Sequence, residues 1–465
     1  MKQKACFMWN KSLLTVLFIV ATFPVSCANE TTKSIITIGE GAYQGSTNRV
    51  IQQAINDQYE QGGGTVVIPE GTYIMHDALH LKSGVHIKGK GKQTVLLKKP
   101  SVKVNLTQFH GYGHYEVIVD EPDKLKVGMG VVIRDESTYG FRVTTATLAE
   151  REGNAFFIDQ PLKSDYKPGR NAVLTTVFPI ICGRDVENCS VSNLCLDGNP
   201  KEERGVGGCR GGGVWLLGCN DIRLSGLEIR NYQGDGISFQ QCWDIAITNC
   251  HVYHNQNHGL HPGSGSVRYI IRDCQLHHNG GNGIFYCLRT THSLCEGNRI
   301  HDNQLEGISI GERDTDHIIR ENYIHHNDKE GILFRDAAQQ GGDRVLVKNN
   351  SLKNNCRKSG KAEIFVGKGI SDLIFNQNNF NPRENEESSI PVLSVSDGTS
   401  NIYFHDNEVA GITQNSKGLS GNTGDVIFSL PDHFFDIGPG AAGSNAARHL
   451  GVQDIGSELS VPSLE

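Results

Sequence analysis

Two histidines three residues apart, His258 and His261, are the first candidates for chemistry in this chain, in the stretch NHGLHPGSGS at residues 257–266. An imidazole can act as a general base or acid near neutral pH, and it can also bind a metal ion. Asp235 lies 23 residues before His258. A carboxylate beside an imidazole can orient it, so the function of the pair depends on what the fold places next to it.

A glycine-apolar-x-apolar segment recurs every 23 or 24 residues, and both histidines belong to one copy of it. Its glycines are Gly213, Gly236, Gly259, Gly283, Gly307 and Gly331. A second segment, as in ITNCHVYHN and IRDCQLHHN, follows each copy, and these segments end on Asn255, Asn279, Asn303 and Asn327. Apolar and polar residues alternate in both segments, which indicates two strands per repeat. Single units cannot enclose a core but stacked units can, so the sequence predicts an all-β parallel β-helix with a ladder of asparagine amides.

An amphipathic helix is predicted before the repeats, in GSTNRVIQQAINDQYEQGGG. Its apolar residues are Val50, Ile51, Ala54, Ile55 and Tyr59. Ser46 or Thr47 can cap it, and three glycines at 62–64 end it. Such a helix can close the open end of the stack, which would otherwise expose core and strand edges.

The stretch IQQAINDQYEQGGGTVVIPEGTYIMHDALHLKSGVHIKGKG, residues 51–91, resembles the N-terminal segment of the pectate-lyase-like superfamily. With the later repeats, the resemblance covers roughly residues 36–100 and 180–410. It implies a right-handed single-stranded parallel β-helix with rungs of 23–24 residues and an N-terminal capping helix. We expect a cap with first coils at 36–100, a β insertion at 101–180, the parallel β-helix at 181–415 and a C-terminal tail at 416–465.

Residues 1–27 have the pattern of an export signal, since lysines precede a short apolar core that ends in Val-Ser-Cys. Cys27 would then be either the cleavage position or a lipid-anchored first residue of a lipoprotein. We therefore expect a secreted, periplasmic or cell-surface protein with no membrane span. Cys219 with Cys242, and Cys250 with Cys274, follow the repeat spacing, which favours stacked buried thiols over disulfides.

Residues that can reach a substrate lie on the glycine strand and in the turns beside it. The first and third residues after each glycine are expected to point inward, which leaves the second residue and the one before the glycine on the outside. The candidate catalytic residues are Asp235, His258, His261, Arg289, Glu306 and Arg313. The candidate substrate-binding residues are Trp215, Gln240, Phe285, Glu312, Asp314, Glu330, Arg335 and Asp336.

The rung around His258 also resembles the corresponding rung of mannuronan C5-epimerases, which carry a Tyr-Gly-Phe-Asp-Pro-His motif. Gly259 and Pro262 match that motif, whereas His258, His261 and Gly263 replace its Tyr, Asp and His. The resemblance therefore implies the location of a site on this rung, but the epimerase chemistry does not carry over.

The reaction that this set favours is β-elimination on a uronate-containing polysaccharide. Such a reaction neutralises the C6 carboxylate and removes the C5 proton. His258 or His261 would supply a base with a near-neutral pKa, and Asp235 would orient His258. Arg289 and Arg313, one repeat apart, would bind substrate carboxylates. The sequence indicates no particular cofactor, and participation of Ca²⁺ is kept as an alternative.

Hydrolysis is the alternative reaction. Glu306 and Glu330 lie one repeat apart, about 5 Å along a stack, which suits a retaining pair of carboxylates. Glu312 is a second candidate for the acid in that reaction.

A non-catalytic glycan-binding or adhesion protein is the third hypothesis. In that case His258 and His261 are turn residues, and Trp215 and Phe285 only cover the insertion. Salt bridges between rungs, Arg289 with Glu312 and Arg313 with Asp336, would then account for the charges.

A second column, His277, His301 and His325, is interpreted as a solvated face rather than a metal site. The net charge of −7 excludes a global basic field, so we expect a polysaccharide partner, no nucleic acid and a monomer.

Overall fold

The computed structural model describes residues 34–199, 205–338, 340–382, 390–409, 412–413, 419–421 and 426–428. The predicted export signal with Cys27 lies outside the described residues, as does most of the predicted C-terminal tail. Within the described ranges, no helix has both the length and the apolar character needed to cross a membrane.

The described residues form one α-helix and 40 strands. The N-terminal elements are β1 (Ile35–Thr37), α1 (Asn48–Glu60), β2 (Gly64–Val67), β3 (Gly71–Met75), β4 (Leu79–His80) and β5 (Val85–Lys98). The next strands are β6 (Lys103–Asn105), β7 (Glu116–Ile118), β8 (Gly130–Arg134), β9 (Thr144–Glu152), β10 (Ala155–Ile158) and β11 (Val173–Thr175). The remaining strands are β12 (Ile181–Arg184), β13 (Glu187–Asp197), β14 (Val214–Leu217), β15 (Asn220–Ser225), β16 (Glu228–Arg230), β17 (Ile237–Gln240), β18 (Trp243–Thr248), β19 (His251–Tyr253), β20 (Leu260–Gly263), β21 (Val267–Arg272), β22 (Gln275–His277), β23 (Ile284–Phe285), β24 (Thr291–Glu296), β25 (Arg299–His301), β26 (Ile308–Ile310), β27 (Thr315–Arg320), β28 (Tyr323–His325), β29 (Ile332–Phe334), β30 (Val345–Lys348), β31 (Ser351–Lys353), β32 (Ile364–Val366), β33 (Ser371–Asn376), β34 (Asn379–Asn381), β35 (Leu393–Val395), β36 (Ser400–His405), β37 (Glu408–Val409), β38 (Ile412–Thr413), β39 (Leu419–Gly421) and β40 (Val426–Ile427).

The chain winds into a parallel β-helix in which each rung carries three strands rather than the predicted two. The rung of β17, β18 and β19 is typical: Ile237 in β17 pairs with Leu260 one rung later, in parallel register. The second predicted strand is split because Asn249, between β18 and β19, has a left-handed φ of 52°, a conformation that breaks an extended strand. The first strands of the rungs form an 11-stranded sheet, β4-β12-β14-β17-β20-β23-β26-β29-β32-β35-β39, here called the glycine-strand sheet.

Side-chain amide ladders hold successive rungs together, as predicted. The Nδ2 of Asn279 donates to the Oδ1 of Asn303 at 3.0 Å, and Asn303 donates to Asn327 in the same way at 3.0 Å. A second ladder that was not predicted runs through Asn298, Asn322, Asn350, Asn378 and Asn407. These buried amides satisfy backbone groups at the turns, which would otherwise be unpaired in the core.

The repeat-spaced cysteines lie inside the stack as free thiols, which confirms their predicted packing. Cys219 forms no disulfide. Its backbone N–H donates to the Sγ of Cys242, one rung later, at 3.4 Å. Cys250 and Cys274 are buried in the same way among the aliphatic residues of the core.

Residues 103–175 form a separate six-stranded antiparallel sheet, in the order β6-β11-β8-β9-β10-β7. This insertion has its own apolar core, which includes Phe156 and Leu174. It contacts the first rungs through hydrogen bonds, as from the Oγ1 of Thr147 to the Oδ2 of Asp77 at 2.8 Å.

The helix α1 has its buried face against the first strands. Ile51, Ala54 and Ile55 are fully buried, whereas Tyr59 is 49% exposed and does not belong to the buried face that the sequence predicted. Thr47 occupies the N-cap position, although its side chain makes no capping hydrogen bond.

Strands also continue into the predicted tail. β39 pairs with β35, and β40 pairs with β36, so the predicted boundary at residue 415 is too early. The strands there are short and glycine-rich, so the sequence shows no clear alternation of apolar and polar residues.

Candidate active site

The centre of the site is a buried pair formed by His261 and Asp235. His261 follows the first inward residue of β20, so its side chain emerges on the outer face of the glycine-strand sheet. Its Nδ1 lies 2.7 Å from the Oδ2 of Asp235, and its Nε2 has no hydrogen-bond partner. The other oxygen of Asp235 accepts from the Nδ2 of Asn257 at 2.6 Å and from the backbone N–H of His258 at 3.1 Å. Asp235 therefore orients His261, not His258 as the sequence predicted.

His258 is held in a different way. Its Nδ1 accepts the backbone N–H of Asn282 at 3.0 Å, so a neutral His258 carries its proton on Nε2 and can donate there. The Nδ2 of Asn282 donates to the Oε2 of Glu306 at 2.5 Å, and the Nζ of Lys329 lies 3.3 Å from the other Glu306 oxygen. Asn282 thus connects the rung that carries His258 to the rung that carries Glu306.

Neither histidine has the near-neutral pKa that the sequence predicted. Burial disfavours the charged form of His261, but Asp235 outweighs this effect and raises the pKa of His261 to about 9. Burial lowers the pKa of His258 to about 4, with further lowering from His261 and Arg335. Two adjacent imidazoles are therefore driven to opposite protonation states at neutral pH, an arrangement that separates proton-transfer roles.

Phe285 joins these histidines to a guanidinium. The imidazole of His258 stacks on its ring at a centroid distance of 4.4 Å, and His261 meets it edge-on at 5.2 Å. The guanidinium carbon of Arg335 lies 4.4 Å from the same centroid. Since three side chains already contact the ring, Phe285 organises the site rather than offering a free platform to a sugar.

Arg335 is fixed by its own hydrogen bonds. It donates from Nη1 to the Oγ of Ser309 and from Nη2 to the backbone O of Tyr286, both at 2.7 Å. Asp314 lies 3.7 Å away and is itself held by the N–H groups of Thr290 and Gly311. Burial raises the pKa of Asp314. The result is a half-buried cation with a fixed orientation beside the histidine pair.

Residues 205–213 cover one end of this face, and Gly208 is the point of closest approach. Its backbone O accepts from the Nε1 of Trp215 at 3.0 Å and from the Oγ of Ser238 at 2.8 Å. A Cβ at Gly208 would collide with Asp235 and His261, so only glycine lets the backbone lie this close. The cover explains why outward positions expected to be exposed are buried here.

Several predicted residues lie outside this cluster. Trp215 and Gln240 are fully buried beneath residues 205–213 and present no free surface to a sugar. Arg289 is exposed, and Asp336 accepts the backbone N–H of Lys368 at 2.8 Å.

The predicted salt bridges between rungs also differ. The Nη2 of Arg313 lies 3.4 Å from Glu312, its neighbour in sequence, with both side chains 41% exposed. Neither Arg289 nor Arg313 therefore joins the histidine cluster; Arg335 provides the guanidinium instead. Glu330 is buried, and its Oε1 accepts the backbone N–H of Lys361 at 2.9 Å.

The sequence did not indicate Asn257 or Gly208 as parts of the site. Asn282 and Ser309 occupy repeat positions equivalent to Asp235 and His261; the repeat therefore placed them on the outer side, but they were not among the candidate catalytic or binding residues. Gly208 lies outside the repeats and gives no such signal.

Two family models match the chain. The model described as "Right handed beta helix region" matches residues 212–381 and 263–429. The model described as "Rhamnogalacturonase A/epimerase, pectate lyase-like" matches residues 40–152. The chain is a right-handed parallel β-helix with a pectate-lyase-like N-terminal segment, and the predicted resemblance is confirmed. No curated protein sequence matches the chain significantly.

Similar solved structures have different activities. The A-module of mannuronan C-5 epimerase AlgE6 from Azotobacter vinelandii is 16% identical, with a TM-score of 0.49 over 83% of this chain and 96% of its own. Alginate lyase from Paenibacillus sp. str. FPU-7 is 11% identical, with a TM-score of 0.44 over 84% and 98%. The surface adhesin PfbA of Streptococcus pneumoniae is 14% identical, with a TM-score of 0.46 over 81% and 86%. These three proteins are an epimerase, a lyase and an adhesin, so the shared fold does not indicate which activity this chain has.

Proposed function

We propose that this protein is an exported enzyme that cleaves a uronate-containing polysaccharide by β-elimination on the outer face of the glycine-strand sheet. The observation that carries the proposal is the His261–Asp235 pair, in which the buried Nε2 of His261 has no hydrogen-bond partner. Two potential proton donors, His258 and Arg335, contact the same Phe285 ring as His261. A set of this kind can take a proton and stabilise a neighbouring carboxylate without a metal.

In the proposed reaction, neutral His261 removes the C5 proton through Nε2. The electron pair forms the C4–C5 double bond as the C4–O4 bond breaks, and the proton passes from His261 to the departing O4. The Arg335 guanidinium and the Nε2–H of His258 bind the C6 carboxylate and stabilise the negative charge that develops there. Asp235 holds His261 in the required tautomer.

Incubation of the protein with a panel of uronate polymers tests this reaction. Elimination produces an unsaturated sugar end with a characteristic ultraviolet absorbance, which we expect to grow together with the number of new chain ends. New reducing ends without that absorbance would indicate hydrolysis and contradict the proposal. Binding of a polymer without cleavage would favour a glycan-binding or adhesion protein.

Hydrolysis is the second candidate reaction, and one structural observation supports it. Glu306 and Glu330 lie on successive rungs, since the backbone N–H of Gly307 donates to the O of Glu330 at 3.0 Å. Glu306→Gln and Glu330→Gln should then abolish formation of reducing ends, whereas β-elimination through His261 predicts that Glu330→Gln retains activity.

Export is part of the proposal and rests on residues 1–27. The amino terminus of the mature protein from the native host should lie at or directly after Cys27. A mature protein that keeps residues 1–27 would contradict export.

A further inference from the structure

A second group of histidines lies on the outer side of the third strand of successive rungs, away from the glycine-strand sheet. It includes seven of the chain's 19 histidines, His251, His254, His277, His278, His301, His325 and His326, together with Asp302. These eight residues are called the histidine ladder here. The proposed elimination reaction uses none of them.

Backbone geometry explains why neighbours in sequence converge in this ladder. Adjacent side chains of a strand normally point to opposite faces. His278 and Asp302 follow directly after β22 and β25, and both have a left-handed φ of 53°, so each emerges beside its predecessor. The Nδ1 atoms of His277 and His278 are 2.7 Å apart, and the Nδ1 of His301 lies 2.8 Å from the Oδ2 of Asp302.

The rings also stack from rung to rung. Centroids are 4.7 Å apart between His277 and His301 and 4.6 Å between His301 and His325. His325 is buried, and its Nε2 has no hydrogen-bond partner.

Three groups on two rungs come close enough to share one ion. One ligand atom each from His278, His301 and Asp302 lies within 4.8 Å of the other two. The Oδ1 of Asp302 also accepts from the Nη1 of Arg357 at 2.7 Å. This contact orients the carboxylate. The positive charge of the guanidinium would at the same time repel a bound metal ion.

We propose that the histidine ladder binds a divalent transition-metal ion such as Zn²⁺ through His278, His301 and Asp302. Imidazole nitrogens with one carboxylate suit zinc, copper or nickel, whereas Ca²⁺ and Mg²⁺ prefer oxygen ligands. Zinc bonds of about 2.0–2.2 Å bring ligand atoms to roughly 3.3 Å from one another. Small side-chain rotations would close the remaining distance; His278 is exposed, and its rotation would replace its contact with the Nδ1 of His277.

Calorimetric titration of the purified full chain with Zn²⁺ tests this site. We expect saturable binding in the wild type and at least about tenfold weaker binding in His278→Gln and in Asp302→Asn. His114→Gln is the matched control, because His114 is an exposed histidine of the insertion, and its zinc affinity should equal that of the wild type. Circular dichroism checks that each variant keeps its fold.

Zinc affinity unchanged in both His278→Gln and Asp302→Asn would overturn the proposal, as would no binding of micromolar Zn²⁺ to the wild type. Loss of binding in His261→Gln alone would place the ion at the other histidine pair and would also overturn it. The elimination reaction can fail its own test without affecting this result, because the two sites share no residue.

Discussion

At the scale of single residues, the site depends on how one carboxylate sets the charge of one imidazole. Asp235 is fully buried and bonds the Nδ1 of His261, so it favours the imidazolium and the tautomer that leaves Nε2 facing away. A base with a pKa of about 9 is scarce at neutral pH, and the elimination rate should therefore rise toward alkaline pH.

Asp235→Asn should shift that pH dependence. Without the carboxylate, burial is the largest remaining influence on His261 and lowers its pKa, so the midpoint of the rate profile should fall from about 9. The maximal rate should fall as well, because the tautomer is no longer fixed. Initial rates across pH check both effects; an unchanged midpoint would contradict the role of Asp235.

The same pair has a stability consequence with a defined sign. The pKa of His261 is raised from 6.5 to about 9 on folding, so its stabilisation is complete below pH 6.5 and is lost as pH rises to about 9. The difference in urea midpoint between the wild type and Asp235→Asn should shrink over this window.

Arg335 and Arg289 give a matched pair of substitutions. Arg335 is oriented by Ser309 and Tyr286 beside the histidines, whereas Arg289 is exposed. Lysine cannot reproduce the planar donor geometry of arginine. We expect Arg335→Lys to lower kcat/KM by about 100-fold or more and Arg289→Lys to leave it nearly unchanged. Equal losses in both variants would show that Arg289 also binds substrate and would contradict this assignment.

At the scale of elements, the amide ladders determine how rungs stack. Asn378 is buried; it donates to the O of Val347 at 2.8 Å and to the Oδ1 of Asn407 at 3.0 Å, and accepts from Asn350. Its neighbour Asn379 is exposed, and its side chain donates to the Oε2 of Glu408 at 3.1 Å. The two adjacent asparagines therefore differ in burial and not in chemistry.

Asn378→Ala should destabilise the fold by roughly 2–4 kcal/mol, because several buried groups lose their partners at once. Asn379→Ala should change stability by less than about 0.5 kcal/mol. Urea unfolding of both variants measures the difference. Similar losses would contradict the structural role of the ladder.

At the scale of the whole molecule, the end of the β-helix depends on α1. Ile51 is fully buried on the inner face of this helix, whereas Gln53 on the same helix is exposed. Ile51→Asp places a charge in the core and should expose the end of the stack, lowering the melting temperature and promoting aggregation. Gln53→Asp should keep the melting temperature and the size-exclusion elution volume of the wild type. Normal behaviour of Ile51→Asp would show that the cap is dispensable.

The sequence repeat predicted most of the fold but only part of the candidate site. The spacing of Gly259 and Asn279 predicted the stack, since parallel strands repeat their side-chain environment at every rung. It did not predict that Gly208 covers the face, because residues 205–212 lie outside the repeat. The repeat also could not predict the pKa values of His258 and His261, because these depend on burial and on hydrogen bonds that residue spacing does not determine.

The most direct measurement of the central claim is the rate of unsaturated-product formation by His261→Gln on a polymer that the wild type cleaves. Glutamine keeps a polar side chain next to Asp235 but cannot take up the C5 proton. The account predicts a loss of at least about 100-fold at every pH, with the variant still folded. A variant that forms the unsaturated product as fast as the wild type would contradict it.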